Sequence, residues 1–414
     1  MKTTKATIRQ QEIINQAFRV WGESCFYKTS LSSLARSLGL SKTALYRYFS
    51  GKEALLQAMR EHFLQVHENL SREFLEKASG KSFWKRFDLY NRIIVQFYSE
   101  HYWYCRFVFI FFLPRAEEGM NALQSLKEYQ KVLFPREQLQ SELGWGEGAV
   151  RRVQEYISTS AVFLLFHNSL KAFHFEEKSI SEANIKDGAD ALFSKMIKEG
   201  LAGKDQPGLC DFAAVEEQCW VDRSELLKSD RIFSAIAEVV GEMGLWEASI
   251  EKIARKAGMS KSSLYFHFRN RNDMLWEMIE RELYRIRQLF EEKSASFETF
   301  EQRLYGYFVV FSSYMNHRRD ILAVMKWLIF QGSKITFPLI NQEAVKKHIQ
   351  FLRDGVVSQK LRDDIFQPVE MIKWIHHFLT LGIQEMVSAQ QSEEEHRQML
   401  RVSYKLFLFG ARGE

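Results

Sequence analysis

One pattern occurs twice in this chain and limits its fold more than any other feature. Residues 30–56 read SLSSLARSLGLSKTALYRYFSGKEALL, and residues 249–275 repeat the pattern 219 positions later, without a gap, as SIEKIARKAGMSKSSLYFHFRNRNDML. In the first copy Ser30 stands where an N-cap belongs. Leu31, Leu34, Ala35 and Leu38 then fall at i, i+3, i+4 and i+7, one apolar stripe of a short helix. Gly39 supplies the permissive backbone of a helix end or tight turn. Ser41 can cap a second short helix whose Leu45 and Phe49 pack inward, which leaves Lys42, Thr43, Tyr46 and Arg47 outward. The second copy repeats the stripe (Ile250, Ile253, Ala254, Ala257), the turn (Gly258) and the second helix (Ser260, Lys261, Leu264, Tyr265, Phe268). Basic, hydroxyl and aromatic groups on the exposed face of the second helix make the helix-turn-helix arrangement that enters a major groove. A single copy would leave room for the plainer reading, a small helical hairpin with a solvated basic face. Two copies with the same buried, turning and exposed positions point to duplicated domains, and a period near 200 residues excludes a solenoid.

A chain of 414 residues is long enough for two or three domains, each with a core of its own. Only five prolines and little regular alternation argue for a mainly helical chain. The net charge of +5 acquires meaning only when located: residues 1–60 hold ten Lys/Arg against three Asp/Glu. In the second copy Lys252, Arg255, Lys256, Lys261, Arg269 and Arg271 cluster, although the balance is less one-sided. Basic charge on both heads is a phosphate-binding footprint. Cys25, Cys105, Cys210 and Cys219 lack CxxC spacing and nearby His, which reads as reduced thiols with no metal. MKTTKATIRQQ has no signal-peptide core, and Phe107–Leu113 is too short an apolar run to cross a bilayer. The expectation is a cytoplasmic, nucleoid-associated protein with no membrane partner.

Residues 8–22 and 231–244 read as a first helix before each helix-turn-helix, so each head is a three-helix unit. At this level both copies resemble the DNA-binding domain of the TetR (tetracycline-repressor-like) family of bacterial regulators. The shared residues are an aromatic shortly before Thr29-Ser30 or Ala248-Ser249, Leu34-Ala35 or Ile253-Ala254, and Gly39 or Gly258. They continue as Ser-x-x-x-Leu-Tyr-x-Tyr/His-Phe at 41–49 and 260–268, with a basic residue at Lys52 or Arg271. The resemblance implies an all-α fold of two tandem units, each a small head followed by a helical body that binds an effector and dimerises. On that reading residues 1–56 and 229–282 are heads, 57–201 and 283–414 bodies, and 202–228, which contains AGKDQPG, a linker. Whether 209–228 is a short helix or an ordered strap is open. The family's four-helix bundle then corresponds to 148–174, 183–201, 369–389 and 393–410, with Phe193–Leu201 and Tyr404–Gly410 alike as apolar helix ends running to a glycine (Gly200, Gly410).

For the DNA-contacting face the sequence nominates Lys42, Thr43, Ala44, Tyr46 and Arg47, with Lys261, Ser262, Ser263, Tyr265 and Phe266 in the second copy. Lys and Arg donate to guanine or phosphate oxygens, Ser and Thr contact either, and Ala meets a thymine methyl. By resemblance Tyr46, Tyr265, Tyr48, His267, Lys52 and Arg271 lie near the phosphate backbone, Tyr48 replacing the commoner His. The aromatic blocks at 83–113 and 300–330 are core by spacing. Each is also a candidate effector pocket, the first the stronger, with Tyr98, His101, Tyr102 and Arg106 there as polar contacts for an apolar or weakly acidic small molecule. No Gly-rich phosphate loop, G-x-S-x-G or H-E-x-x-H is present, so an enzyme is not expected and no cofactor is implied. The expected partner is a double-stranded DNA operator, bound by two halves that pair within one chain, with repression the usual family outcome. The competing class is an effector-sensing interaction protein whose heads no longer bind DNA.

Overall fold

In the computed structural model, which describes residues 5–23, 30–101, 103–104, 133–158, 160, 186–226, 230–318, 321–322, 324, 346–388 and 390–412, the expected caps form. Helix α1 (Lys5–Glu23) is followed by α2 (Leu31–Ser37) and α3 (Lys42–Tyr46). The Ser30 and Ser41 hydroxyls each accept the backbone N–H three residues on, at 3.1 Å, which satisfies one orphan donor of the helix that follows. Gly39 adopts φ 63°, and Leu40 N–H closes the helix end on Ala35 O at 2.8 Å. Ile13, Ile14, Ala17, Phe18 and Trp21 of α1 are buried, as are Leu31, Leu34, Ala35, Leu45 and Phe49. Leu38, expected on the stripe, is only half-buried because it is the C-cap residue of α2.

The long helix α4 (Lys52–Ala78) leads into α5 (Phe83–Tyr90), a π-helical turn (Asn91–Val95) and α6 (Gln96–Glu100). Buried Arg86 ties this body together: Nη1 donates to Ala78 O at 3.0 Å, while Nε and Nη2 donate to Leu133 O at 3.1 and 2.9 Å. Next come α7 (Arg136–Ser141), α8 (147–158) and α9 (Lys186–Glu199). The stretch left open by the sequence is helical as well as a strap: α10 (Phe212–Cys219) precedes a 3-10 turn (Arg223–Glu225).

The second head repeats the first with α11 (Arg231–Glu247), α12 (Ile250–Lys256) and α13 (Lys261–His267). Ser249 and Ser260 cap, Gly258 takes φ 61°, and Met259 N–H reaches Ala254 O at 2.9 Å. Then follow α14 (Arg271–Lys293), α15 (Phe300–His317), α16 (Gln350–Val357), α17 (Pro368–Ser388) and α18 (Glu393–Phe409). Among the described residues the extended structure amounts to one isolated bridge, Ala202 to Leu361.

By contacts the chain forms two compact units, Met1–Pro135 with Leu164–Asp190, and Arg136–Phe163 with Ala191–Glu414. Within the second unit, helices from early and late in the chain share a core. Tyr156 of α8 donates to Met196 O at 3.0 Å, and its ring lies 5.3 Å from Phe378 and 6.1 Å from Trp374. Buried Arg152 donates to Ser403 Oγ at 2.9 Å and to Phe378 O at 2.7 Å. The ends of α9 and α18 meet reciprocally. A Cβ on Gly200 would stand 2.2 Å from Leu408 O, and one on Gly410 2.4 Å from Ile197 O; both glycines have φ between 65° and 68°. Only glycine combines that approach with that backbone.

Candidate nucleic-acid interface

Burial of Leu45 and Phe49 fixes which way α3 faces, and the same holds for Leu264 and Phe268 on α13. Lys42, Thr43 and Arg47 are exposed, Tyr46 is 44% exposed, and Ala44 and Tyr48 are half-buried. Lys52, half-buried at the start of α4, holds its ammonium 5.9 Å from the Trp21 ring centroid, which anchors this cation to the head's core. On the second head Lys261, Ser262, Ser263 and His267 are exposed, Tyr265 is 46% exposed and Phe266 is 88% exposed. Arg271 opens α14 as the spacing requires, and its side chain lies outside the described set. The two reading helices share one further detail. Lys42 stands 5.8 Å from the Tyr46 ring and Lys261 5.8 Å from the Tyr265 ring, each a cation over the aromatic one helical turn on. Each helix therefore offers ammonium, hydroxyl and aromatic groups on one accessible face, the set that contacts phosphates and base edges.

Charge separates the heads. Lys261 pairs with Glu251, a residue the sequence reading passed over; its signal was an acid where the first copy has Ser32. The hydrogen bond raises the Lys261 pKa and lowers that of Glu251. Lys256 is likewise held by Glu238 at 2.8 Å and Glu242 at 2.9 Å. Among the described residues no carboxylate pairs with Lys42.

The first body reaches its head through aromatic and polar contacts at the end of the aromatic block. Gln11 of α1 donates to His62 Nδ1 at 3.1 Å, which leaves His62 Nε2–H for the Tyr104 hydroxyl at 2.9 Å. The Tyr104 ring lies 4.4 Å from Phe18, and the Arg19 guanidinium 4.8 Å from the Trp103 ring. Burial lowers the His62 pKa and raises that of Tyr104 to about 12, so both stay neutral near pH 7. Of the proposed effector contacts, Tyr102 and Arg106 lie outside the described residues, as does the side chain of Tyr98. His101 lies 4.7 Å from Phe97 and 5.2 Å from Trp103, with its buried Nδ1 lacking a hydrogen-bond partner among the described residues. The π-helical turn just before it is a form that recurs at functional sites. In the second body, α15 is buried from Leu304 to Met315 and packs as core. The second unit also has an open cleft of about 1040 Å³, lined by Lys198, Gly203, Lys204, Arg362 and others, none from either aromatic block. Among the described residues no group of acids, His and Cys suited to a metal is found, and no helix is long and apolar enough to cross a membrane.

A known protein family shares both heads. The family model described as "Bacterial regulatory proteins, tetR family" matches residues 13–59 and again residues 232–278. The fatty acid metabolism regulator protein of Bacillus subtilis (strain 168) is 23% identical over 136 residues, 32% of this chain and 67% of that protein. The HTH-type transcriptional regulator UidR of Escherichia coli (strain K12) is 32% identical over 80 residues, 19% of this chain and 39% of that protein. The chain thus spans well under half of the length of UidR. Among solved structures, the fatty acid degradation regulator FadR from Bacillus halodurans aligns over 46% of this chain and 100% of its own, with 17% identity and a TM-score of 0.35.

Proposed function

Because the chain carries two tetR-family regions in tandem and its relatives are transcriptional regulators, we propose that it is a sequence-specific DNA-binding regulator. In this reading both heads serve one operator. A lone helix-turn-helix is a weak reader, and members with this motif bind as dimers to half-sites about one helical turn (~34–36 Å) apart. Here the second reader is supplied by the same polypeptide. The observation that carries the reading is the repeated head, with the same caps, the same left-handed glycine and the same cation-over-tyrosine pair at positions 219 apart. The reciprocal contact of Gly200 and Gly410 supports pairing of the halves, since a two-fold interface puts equivalent residues in equivalent contacts.

Control is ligand-dependent in this proposal. An apolar or weakly acidic molecule, with a fatty-acyl chain the leading class given the name of the Bacillus subtilis relative, binds in the first body near His101. It favours a head position that the operator does not accept, which is population shift through differential affinity and gives repression relieved by effector. Tyr104, His62 and Gln11 are the contacts through which body movement reaches α1. Footprinting on duplexes selected from a random library tests the reading. Two protected half-sites and a steep loss of affinity with salt are expected. No protection on any selected duplex defeats it.

A further inference from the structure

The two heads are built alike but charged differently. Over the matched stretch 13–59 the first head has six Lys/Arg against two Asp/Glu, whereas over 232–278 the second has six against six. The excess acid is not scattered at random. Glu251, in the first turn of α12, pairs with Lys261, the first residue of the reading helix. Glu238 and Glu242 both hold Lys256, and Asp273 receives the backbone N–H of Arg269 at the entry to α14. At the corresponding places the first head has Ser32 for Glu251, Arg19 for Glu238 and Ala54 for Asp273, while Glu242 matches an acid, Glu23.

Phosphate-driven binding counts the net charge a protein brings to the backbone, because each neutralised phosphate releases counterion. Lys261 can turn from Glu251 to a phosphate, but Glu251 then stays beside the same phosphates and repels them. Contact distance lies well inside the screening length of roughly 8 Å at physiological salt. Either way the pair delivers almost no net charge, while Lys42 delivers a full one.

We propose that the heads grip DNA unequally: the first supplies most of the phosphate-driven affinity, and Glu251 keeps the second a low-charge reader that discriminates bases through its hydroxyls and Phe266. This rests on the regulator reading above. With Phe266 at 88% exposure where the first head has Arg47, the second head offers an apolar ring for thymine methyls in place of a cation. Its binding without the first head would be feeble on any sequence. Attached to the first head, it gains from the high effective concentration of a linked partner and contributes selectivity.

Salt titrations of the full chain on a selected operator duplex test this. Lys42→Ala should flatten the plot of log K against log salt by about one unit. The double variant Lys261→Ala/Glu251→Ser, which removes the whole pair, should leave it nearly unchanged. Glu251→Ser should steepen it by about one unit, so that a fourfold rise in salt costs an additional factor of about 3–4. In the Glu251→Ser background Lys261→Ala should then show the full effect seen for Lys42→Ala. All three side chains are exposed, and melting curves of the variants, expected to match the parent's, check that they fold. Flattening by the double variant equal to that of Lys42→Ala, or no steepening by Glu251→Ser, overturns the proposal and leaves the regulator reading standing. Failure of the parent chain to bind any selected duplex defeats both.

Discussion

Arg47 and Phe266 occupy equivalent places on α3 and α13, so the residue scale already separates the two heads. An exposed guanidinium that reads guanine is bidentate and specific to one base pair, whereas a phosphate contact is indifferent to sequence. Arg47→Ala should cost about 1–3 kcal/mol of binding on the selected operator and relax preference at one position only. Competition against a panel of single-base operator variants checks this, and a uniform loss across the panel would reassign Arg47 to the backbone. Single buried histidines make a second prediction. Tyr307 OH sits 2.8 Å from His348 Nε2 and 2.6 Å from His376 Nε2. One hydroxyl has one proton to give, so one ring accepts it and the other donates its Nε2–H, both neutral. Burial brings His348, His67 and His396 to about 4 and His376 well below its ordinary value. Above the unfolded value of 6.5 neither state is charged and the stability is full. As pH falls from 6.5 toward 4 only the unfolded chain takes up these protons, so stability falls. The melting temperature should therefore drop across that window, and His67→Phe or His348→Phe should reduce the drop. A flat profile would mean that the rings protonate in place.

Elements divide into those whose cause is local and those whose cause is distant. Both heads were legible because Ser30, Gly39, Ser41 and their later counterparts act within four residues of themselves, and the buried stripe is a matter of spacing. Exposure of the nominated DNA face followed from burial of Leu45 and Leu264. The π-helical turn at Asn91–Val95 has no sequence signature, and Glu251 mattered only once Lys261 was placed beside it. Helix α10 was the least legible, since its partners are remote in sequence. Glu216, 1% exposed, receives Arg401 through Nε at 2.8 Å and Nη2 at 2.6 Å, and the Tyr305 hydroxyl at 2.5 Å, with Arg397 at 3.5 Å. Burial alone would raise its pKa, but Arg401, Tyr305 and Arg397 outweigh it and leave the pKa lowered. Such a carboxylate stabilises the fold above its unfolded pKa and ceases to as pH falls through the folded one. Glu216→Gln should cost about 3–5 kcal/mol, because two arginines lose a buried partner at once. Denaturant unfolding measures the cost, and a loss below about 1 kcal/mol would show that α10 is held by its apolar face alone.

At the scale of the whole molecule the question is how many chains make one reader. A homodimeric regulator has a self-complementary interface supplied twice by the same sequence. In this chain the second unit contains α8 and the end of α9 packed with α17 and α18, joined by Arg152, Tyr156 and the Gly200–Gly410 contact. Beyond these, residues 201–205 run alongside 359–362: Ala202 bridges Leu361, and Gly203 N–H donates to Lys360 O at 2.8 Å. In the proposed one-chain reader these contacts stand in for the interface that a homodimer would form with a second subunit. A covalent link also removes the concentration dependence of pairing. Light scattering after gel filtration should therefore return 48.8 kDa down to the dilution limit, with one chain per operator duplex. Replacing Gly200 with Ala puts a Cβ against Leu408 O in a left-handed backbone, and it should weaken this joint and lower the melting temperature without producing a dimer. A stable dimer of the parent chain, with two chains on each duplex, would give four heads to a site and sink the one-chain reader.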